Sequence, residues 1–179
     1  MVANRPFLAS GPVKGLLLPG IVLLLLVLLA ASVGRATTYT NPILSQDFSD
    51  PDVIRVGEDY YLTASSFNLL PGLPVLHSRD LVHWRIISHG IQRLPDARHR
   101  SRRREEGTFA YDVPRPGMGV YAPCLRYHDG RFWIFWADPD GGVYQVNATD
   151  PHGPWSEPVL VWDHIGIINP APLWEEATG

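Results

Sequence analysis

The sequence is poor in cysteine. Cys124 is the only one among 179 residues, so no disulfide can form within the chain. That neither favours nor opposes export, because a core of this size needs no covalent staple. The chain also lacks an excess of charge of one sign. Fifteen Lys and Arg stand against eighteen Asp and Glu, a net of −3, which excludes the electrostatic footprint of a nucleic-acid binder at the level of the whole chain. His77, His83 and His89 are scattered without metal-ligand spacing, so neither a metal nor any other cofactor is expected. From Thr38 onward there is no sustained 3.6-residue apolar periodicity. Short β-branched and aromatic runs alternate with Gly, Pro, Asp and Asn, which predicts an all-β fold.

The single long apolar run, Ile21 to Ala31, lies near the start. Arg5 and Lys14 precede it, and small residues follow it to Gly34-Arg35-Ala36. A basic front, an apolar middle and a small-residue exit predict a secretory signal peptide over residues 1–36, leaving 37–179 as one secreted domain. The alternative is an uncleaved membrane anchor. Leu16 to Val33 is at the lower limit for a span and is interrupted by Pro19-Gly20. Under either reading the remaining chain is extracytoplasmic, and it meets a membrane only if the segment stays attached.

The mature region repeats itself. PDVIRVGEDYYL, from Pro51 to Leu62, has a counterpart in PCLRYHDGRFWI, from Pro123 to Ile134. Each has a proline, an apolar stretch, a polar turn, then two aromatics and an aliphatic at the same spacing. Ser78-Arg79-Asp80 before Trp84 is matched by Ala148-Thr149-Asp150 before Trp155, and Asn169-Pro170-Ala171-Pro172-Leu173-Trp174 begins a third copy. Repeated units of about four short strands are what a β-propeller blade requires. Blades bury their faces only by stacking around an axis. The expected content is two blades and the start of a third, a piece of a larger propeller. Between the first two copies, Pro95 to Gly107 carries Arg98, Arg100, Arg102, Arg103 and Arg104 beside Glu105 and Glu106. Without interleaved aromatics this reads as a solvated loop rather than a polyanion patch. Asn147-Ala148-Thr149 is a glycosylation sequon, relevant only in a eukaryotic secretory route.

In a propeller the first residues of each blade's inner strand gather at one mouth of the central channel. The repeat places Asp50, Ala122 and Asn169 in one register, each just before the aligned proline. Asp50 is then a carboxylate aimed at the axis, and Asp52, two residues on, is expected to share its face and to contact the substrate. A carboxylate in a sugar-sized pocket suits glycoside hydrolysis, in which one group activates water and another protonates the leaving oxygen. An Asp before Pro also serves as a plain turn residue, and position alone does not separate the two. Six Trp, seven Tyr and six Phe suit both a β-rich core and a carbohydrate partner, whose C–H faces stack on aromatic rings. Asp138 and Asp140, in Ala137-Asp138-Pro139-Asp140-Gly141-Gly142, read as a turn.

These stretches resemble a known family. Asn41-Pro42-Ile43-Leu44, Phe48-Ser49-Asp50-Pro51-Asp52-Val53-Ile54-Arg55 and Asp59-Tyr60-Tyr61 look like the opening of glycoside hydrolase family 43. The likeness continues through Ser65-Ser66-Phe67, Pro71-Gly72-Leu73-Pro74, His77 to Trp84, Gly119-Val120-Tyr121-Ala122-Pro123 and Gly153 to Pro158. It covers nearly everything from Tyr39 to Trp174 apart from the arginine-rich loop. The resemblance implies a five-bladed propeller and an inverting enzyme that removes xylosyl or arabinofuranosyl groups from xylan, arabinoxylan or arabinan. It implies that Asp50 is the general base. The Asp that tunes the acid's pKa falls on Asn169, a departure, since Asn carries no charge. The general acid is a Glu followed by Gly or Ala and then Pro, and no Glu of this chain has that context. Phe67 matches an aromatic wall of the sugar subsite, and Tyr121 takes a place usually held by Trp. The expectation is a glycosidase that is inactive as this chain alone. A non-catalytic carbohydrate-binding propeller is the alternative.

Overall fold

A computed structural model describes residues 38–95 and 119–175. The proposed export segment, 1–36, and residues 96–107 of the arginine-rich loop lie outside them. The described residues form two four-stranded antiparallel sheets, with strand orders β1-β2-β3-β4 and β5-β6-β7-β8. The first holds β1 (Asp52–Val56), β2 (Asp59–Thr63), β3 (Gly72–Ser78) and β4 (Arg85–Ile91). The second holds β5 (Tyr121–His128), β6 (Arg131–Asp138), β7 (Gly142–Ala148) and β8 (Val159–Trp162). Among the described residues no helix is long and apolar enough to cross a membrane.

Turn chemistry sets where each hairpin folds back. Two residues, Gly57-Glu58, close β1 onto β2, with Gly57 at φ +64. Asp129-Gly130 closes β5 onto β6 with both residues at positive φ, +48 and +71. Asp-Gly favours this left-handed pair, whose twist matches that of the flanking strands.

The repeat seen in the sequence is then reproduced bond for bond. Asp52↔Thr63, Val53↔Leu62, Ile54↔Tyr61 and Arg55↔Tyr60 in the first sheet correspond to Cys124↔Phe135, Leu125↔Ile134, Arg126↔Trp133 and Tyr127↔Phe132 in the second. The next ladder agrees as well, with Leu62↔Leu76 against Ile134↔Val146. The residues before the aligned prolines share a further property. Asp50, Ala122 and Asn169 all have left-handed backbones, with φ of 50°, 35° and 55°. This conformation is uncommon outside glycine, so its recurrence at three matched positions marks one structural device used three times.

The sheets pack face to face. Leu73 and Val75 of β3, Ile91 of β4, Leu125 of β5, Ile134 and Trp136 of β6, and Tyr144 and Val146 of β7 form one buried core with Val120. On the first sheet's other face, Leu62, Ala64 and Leu76 pack with Leu44, Phe48 and Trp84. Strand β3, apolar on both sides, serves both clusters, which is why its burial is nearly continuous. β1 runs beside β5, so the first strands of the two sheets are neighbours.

Candidate active site

The opening turns of the two sheets meet at one end of these neighbouring strands. The Ser65 hydroxyl donates to Asp50 Oδ2 at 2.8 Å and accepts the Ala122 amide at 2.7 Å. The Ser65 amide donates to the carbonyl of Ser49 at 2.8 Å, tying down the backbone just before Asp50. Asp50 is exposed, whereas Ser65 is buried. Asp47 lies in the connection leading in, where it accepts a hydrogen bond from Ser49 Oγ at 2.8 Å.

Two residues beyond Ser65 the chain bridges to the second sheet. Phe67 and Val120 exchange both backbone hydrogen bonds, at 3.0 and 2.9 Å. Close approach requires glycine beside this bridge. Gly119 has φ +114, and a Cβ there would lie 2.3 Å from the Phe67 carbonyl oxygen. The bridge sets the Phe67 and Tyr121 rings edge to face, 5.3 Å apart at 84°. Both side chains are half-buried. The two aromatics proposed from the sequence are therefore one packed pair, next to the Asp50–Ser65–Ala122 chain of hydrogen bonds.

Asp52 has a different environment. Its Oδ2 accepts the Leu125 amide at 2.8 Å and Arg126 Nη1 at 2.7 Å. It therefore joins β1 to β5 across the sheet boundary, in place of the open position beside Asp50 that alternation suggested. The sequence held a clue to this tie: an Asp and an Arg, each inside an otherwise apolar strand at neighbouring blade positions. Asn169 is exposed in a bend after β8. Asp138 and Asp140 are buried in the β6–β7 turn, where the Asp140 amide donates to Asp138 Oδ1 at 3.0 Å. His77 of β3 pairs with Asp59 of β2 at 2.7 Å, and His83 pairs with Asp80 at 2.7 Å in the connection from β3 to β4. The hydrogen bond with His77, helped by Arg79, holds the Asp59 carboxyl below its ordinary value. Burial raises the Cys124 thiol to about 11, so it stays protonated and inert at neutral pH. Among the described residues no group of His, Cys, Asp or Glu could hold a metal ion.

The sequence did not single out Ser65, which joins the two opening turns. Its signal was a small polar side chain at the end of the buried run Leu62-Thr63-Ala64. A groove of about 560 Å³ lies elsewhere, between β4 and the 152–158 segment, lined by His89, Trp155 and Glu157 among others. The Asp50 mouth is open to solvent. It offers a carboxylate with one oxygen held by a hydroxyl, beside an aromatic pair. That arrangement can take a proton from water and can stack against a sugar ring.

The chain is 41% identical over 146 residues to the non-reducing end alpha-L-arabinofuranosidase BoGH43B of Bacteroides ovatus, covering 79% of this chain and 26% of that protein. It is 37% identical to a xylan 1,3-beta-xylosidase of a Vibrio species, covering 72% of this chain and 23% of that protein. It therefore spans about a quarter of the length of these relatives. Among solved structures, the GH43 protein BlXynB of Bacillus licheniformis superposes with a TM-score of 0.60 at 35% identity, covering 75% of this chain and 26% of that one. The family profile named "Glycosyl hydrolases family 43" matches residues 39–177, nearly the whole of the two sheets and their connections, and the chain belongs to that family.

Proposed function

We propose that the protein is an inverting glycoside hydrolase that removes xylosyl or arabinofuranosyl groups from plant-cell-wall polysaccharide. Asp50 acts as the general base. Its carboxylate takes a proton from water as the water oxygen bonds to the anomeric carbon. The glycosidic C–O bond breaks, and the departing oxygen takes a proton from a general acid. The observation that carries this reading is the Asp50 carboxylate itself: exposed, anchored among the described residues through Oδ2, and set beside the Phe67–Tyr121 pair. These two rings form a wall against which the sugar's apolar face rests. Asp52 supports the site from the side by holding β1 against β5. Asn169 stands where the family places an Asp that tunes the acid. No Glu of the chain has the acid's sequence context, so the 179 residues alone are expected to be inactive. Export through residues 1–36 puts the protein where such polysaccharides are found. N-terminal sequencing of secreted material checks that step.

The test grafts residues 39–175 in place of the matching segment of the Bacteroides ovatus relative, which supplies the remaining sheets. The graft is expected to hydrolyse nitrophenyl xyloside or arabinofuranoside, and Asp50→Asn in it to lower kcat by about 10²–10⁴. Robust turnover by the 179-residue chain alone refutes the missing acid. Asn169 favours one alternative, a carbohydrate-binding propeller without catalysis, since an uncharged side chain cannot raise an acid's pKa by repulsion. A folded graft that binds xylo- or arabino-oligosaccharides without turnover supports that alternative.

A further inference from the structure

We infer that Ser65 is the positioning residue for Asp50, and that it selects Oδ1 as the oxygen that takes the proton from water. The inference rests on the reading of Asp50 as base. Three observations carry it. First, Ser65 grips Asp50 from both sides: its amide holds the Ser49 carbonyl, and its hydroxyl holds Asp50 Oδ2. Among the described residues Oδ1 takes no hydrogen bond, so one oxygen is anchored and the other is left for water. Second, the Ser65 hydroxyl is itself aimed. It accepts the Ala122 amide at 2.7 Å on one side and donates its proton to the carboxylate on the other. A chain running from amide to hydroxyl to carboxylate strengthens each member, and burial of Ser65 keeps water from competing for it.

Third, the internal repeat supplies a control. Continuing the matched registers past Leu62 and Ile134 pairs Ser65 with Ala137, just as Asp50 pairs with Ala122. Where the second sheet has no carboxylate, it has no hydroxyl either. A serine kept only to close the turn would be equally useful in both copies.

The coupling is read first by NMR on the full chain. In the wild type the Ala122 amide shift is expected to change when Asp50→Asn removes the carboxylate, because the Ser65 hydroxyl joins the two residues. This response should be lost in a Ser65→Ala background and regained in Ser65→Thr, which keeps the hydroxyl. A packing role alone would not move this signature. If Ser65→Ala does not fold, Ser65→Cys, of similar size and a weak donor, takes its place. An unchanged response in the hydroxyl-free variant overturns the inference. The second reading is kinetic, in the graft described above. Ser65→Ala should lower kcat by about 10- to 100-fold with KM little changed, and Ser65→Thr should recover most of it. Unchanged kcat overturns the inference. If the wild-type graft has no turnover, the glycosidase reading falls, and the amide response still decides whether Ser65 governs the carboxylate.

Discussion

The two sheets share a ladder and differ in what they hang on it. Ala64, one residue past β2, and Trp136, in β6, occupy matched positions, and each is fully buried. One is the smallest side chain with a Cβ, the other the largest of all. Ala64 sits among Leu62, Leu76, Leu44, Phe48 and Trp84, whereas Trp136 fills the space between the sheets. Register here is therefore set by backbone bonds and turn residues, while side-chain volume is set by whatever lies opposite. The mouth follows the same rule with polar groups. Asp50 and Ser65 stand in one copy, Ala122 and Ala137 in the other, on backbones of the same hand.

The sharpest break of this comparison is Trp136→Ala, which gives the second sheet the residue the first one carries. It is expected to cost about 3–5 kcal/mol in denaturant unfolding. The indole N–H has no partner among the described residues, so the loss is one of area and packing. A cost below about 1 kcal/mol would mean that the inter-sheet core does not hold the sheets together.

A smaller effect is expected at the joint between the sheets. Gly119→Ala forces a side chain onto a backbone at φ +114 and against the Phe67 carbonyl. About 1–3 kcal/mol of stability should go, with a change in near-ultraviolet circular dichroism as the Phe67–Tyr121 pair separates. Loss of stability with that spectrum unchanged would show that the rings are held by something other than the bridge.

The smallest effect is electrostatic and sharpens the contrast between the sheets. Asp59 of β2, Asp80 in the connection after β3 and Asp150 in the connection after β7 are all held below the ordinary value of 3.8, by hydrogen bonds from His77, from His83 and from the His152 amide respectively. A lowered folded-state pKa means that the unfolded chain binds more protons in that window. Stability from these groups is thus present above about pH 4 and is lost as pH falls through the folded values. Asp59→Asn and Asp80→Asn together should flatten the acid limb of thermal unfolding more than Asp150→Asn does. Equal flattening would remove the distinction.

Much of this was legible in the sequence. The repeat from Pro51 to Leu62 and from Pro123 to Ile134 gave the hairpins, their register and the equivalence of Asp50, Ala122 and Asn169, because period and turn residues are local signals. Contacts between sheets were not legible. Alternation assigns Asp52 a face, but not the Arg126 that lies across the boundary. The reach of Ser65 to Ala122 joins residues far apart in the chain and leaves no local pattern. The families of contact that read poorly are those in which one side chain serves two sheets at once.

The Phe67–Val120 bridge has a wider consequence. It fastens together the two ends of everything the chain does between those residues, so the excursion leaves and returns at a single rivet. Lengthening or shortening the stretch after Pro95 is then expected to change a loop closure entropy, which grows only slowly with length, while the Phe67–Val120 joint near Asp50 stays in register.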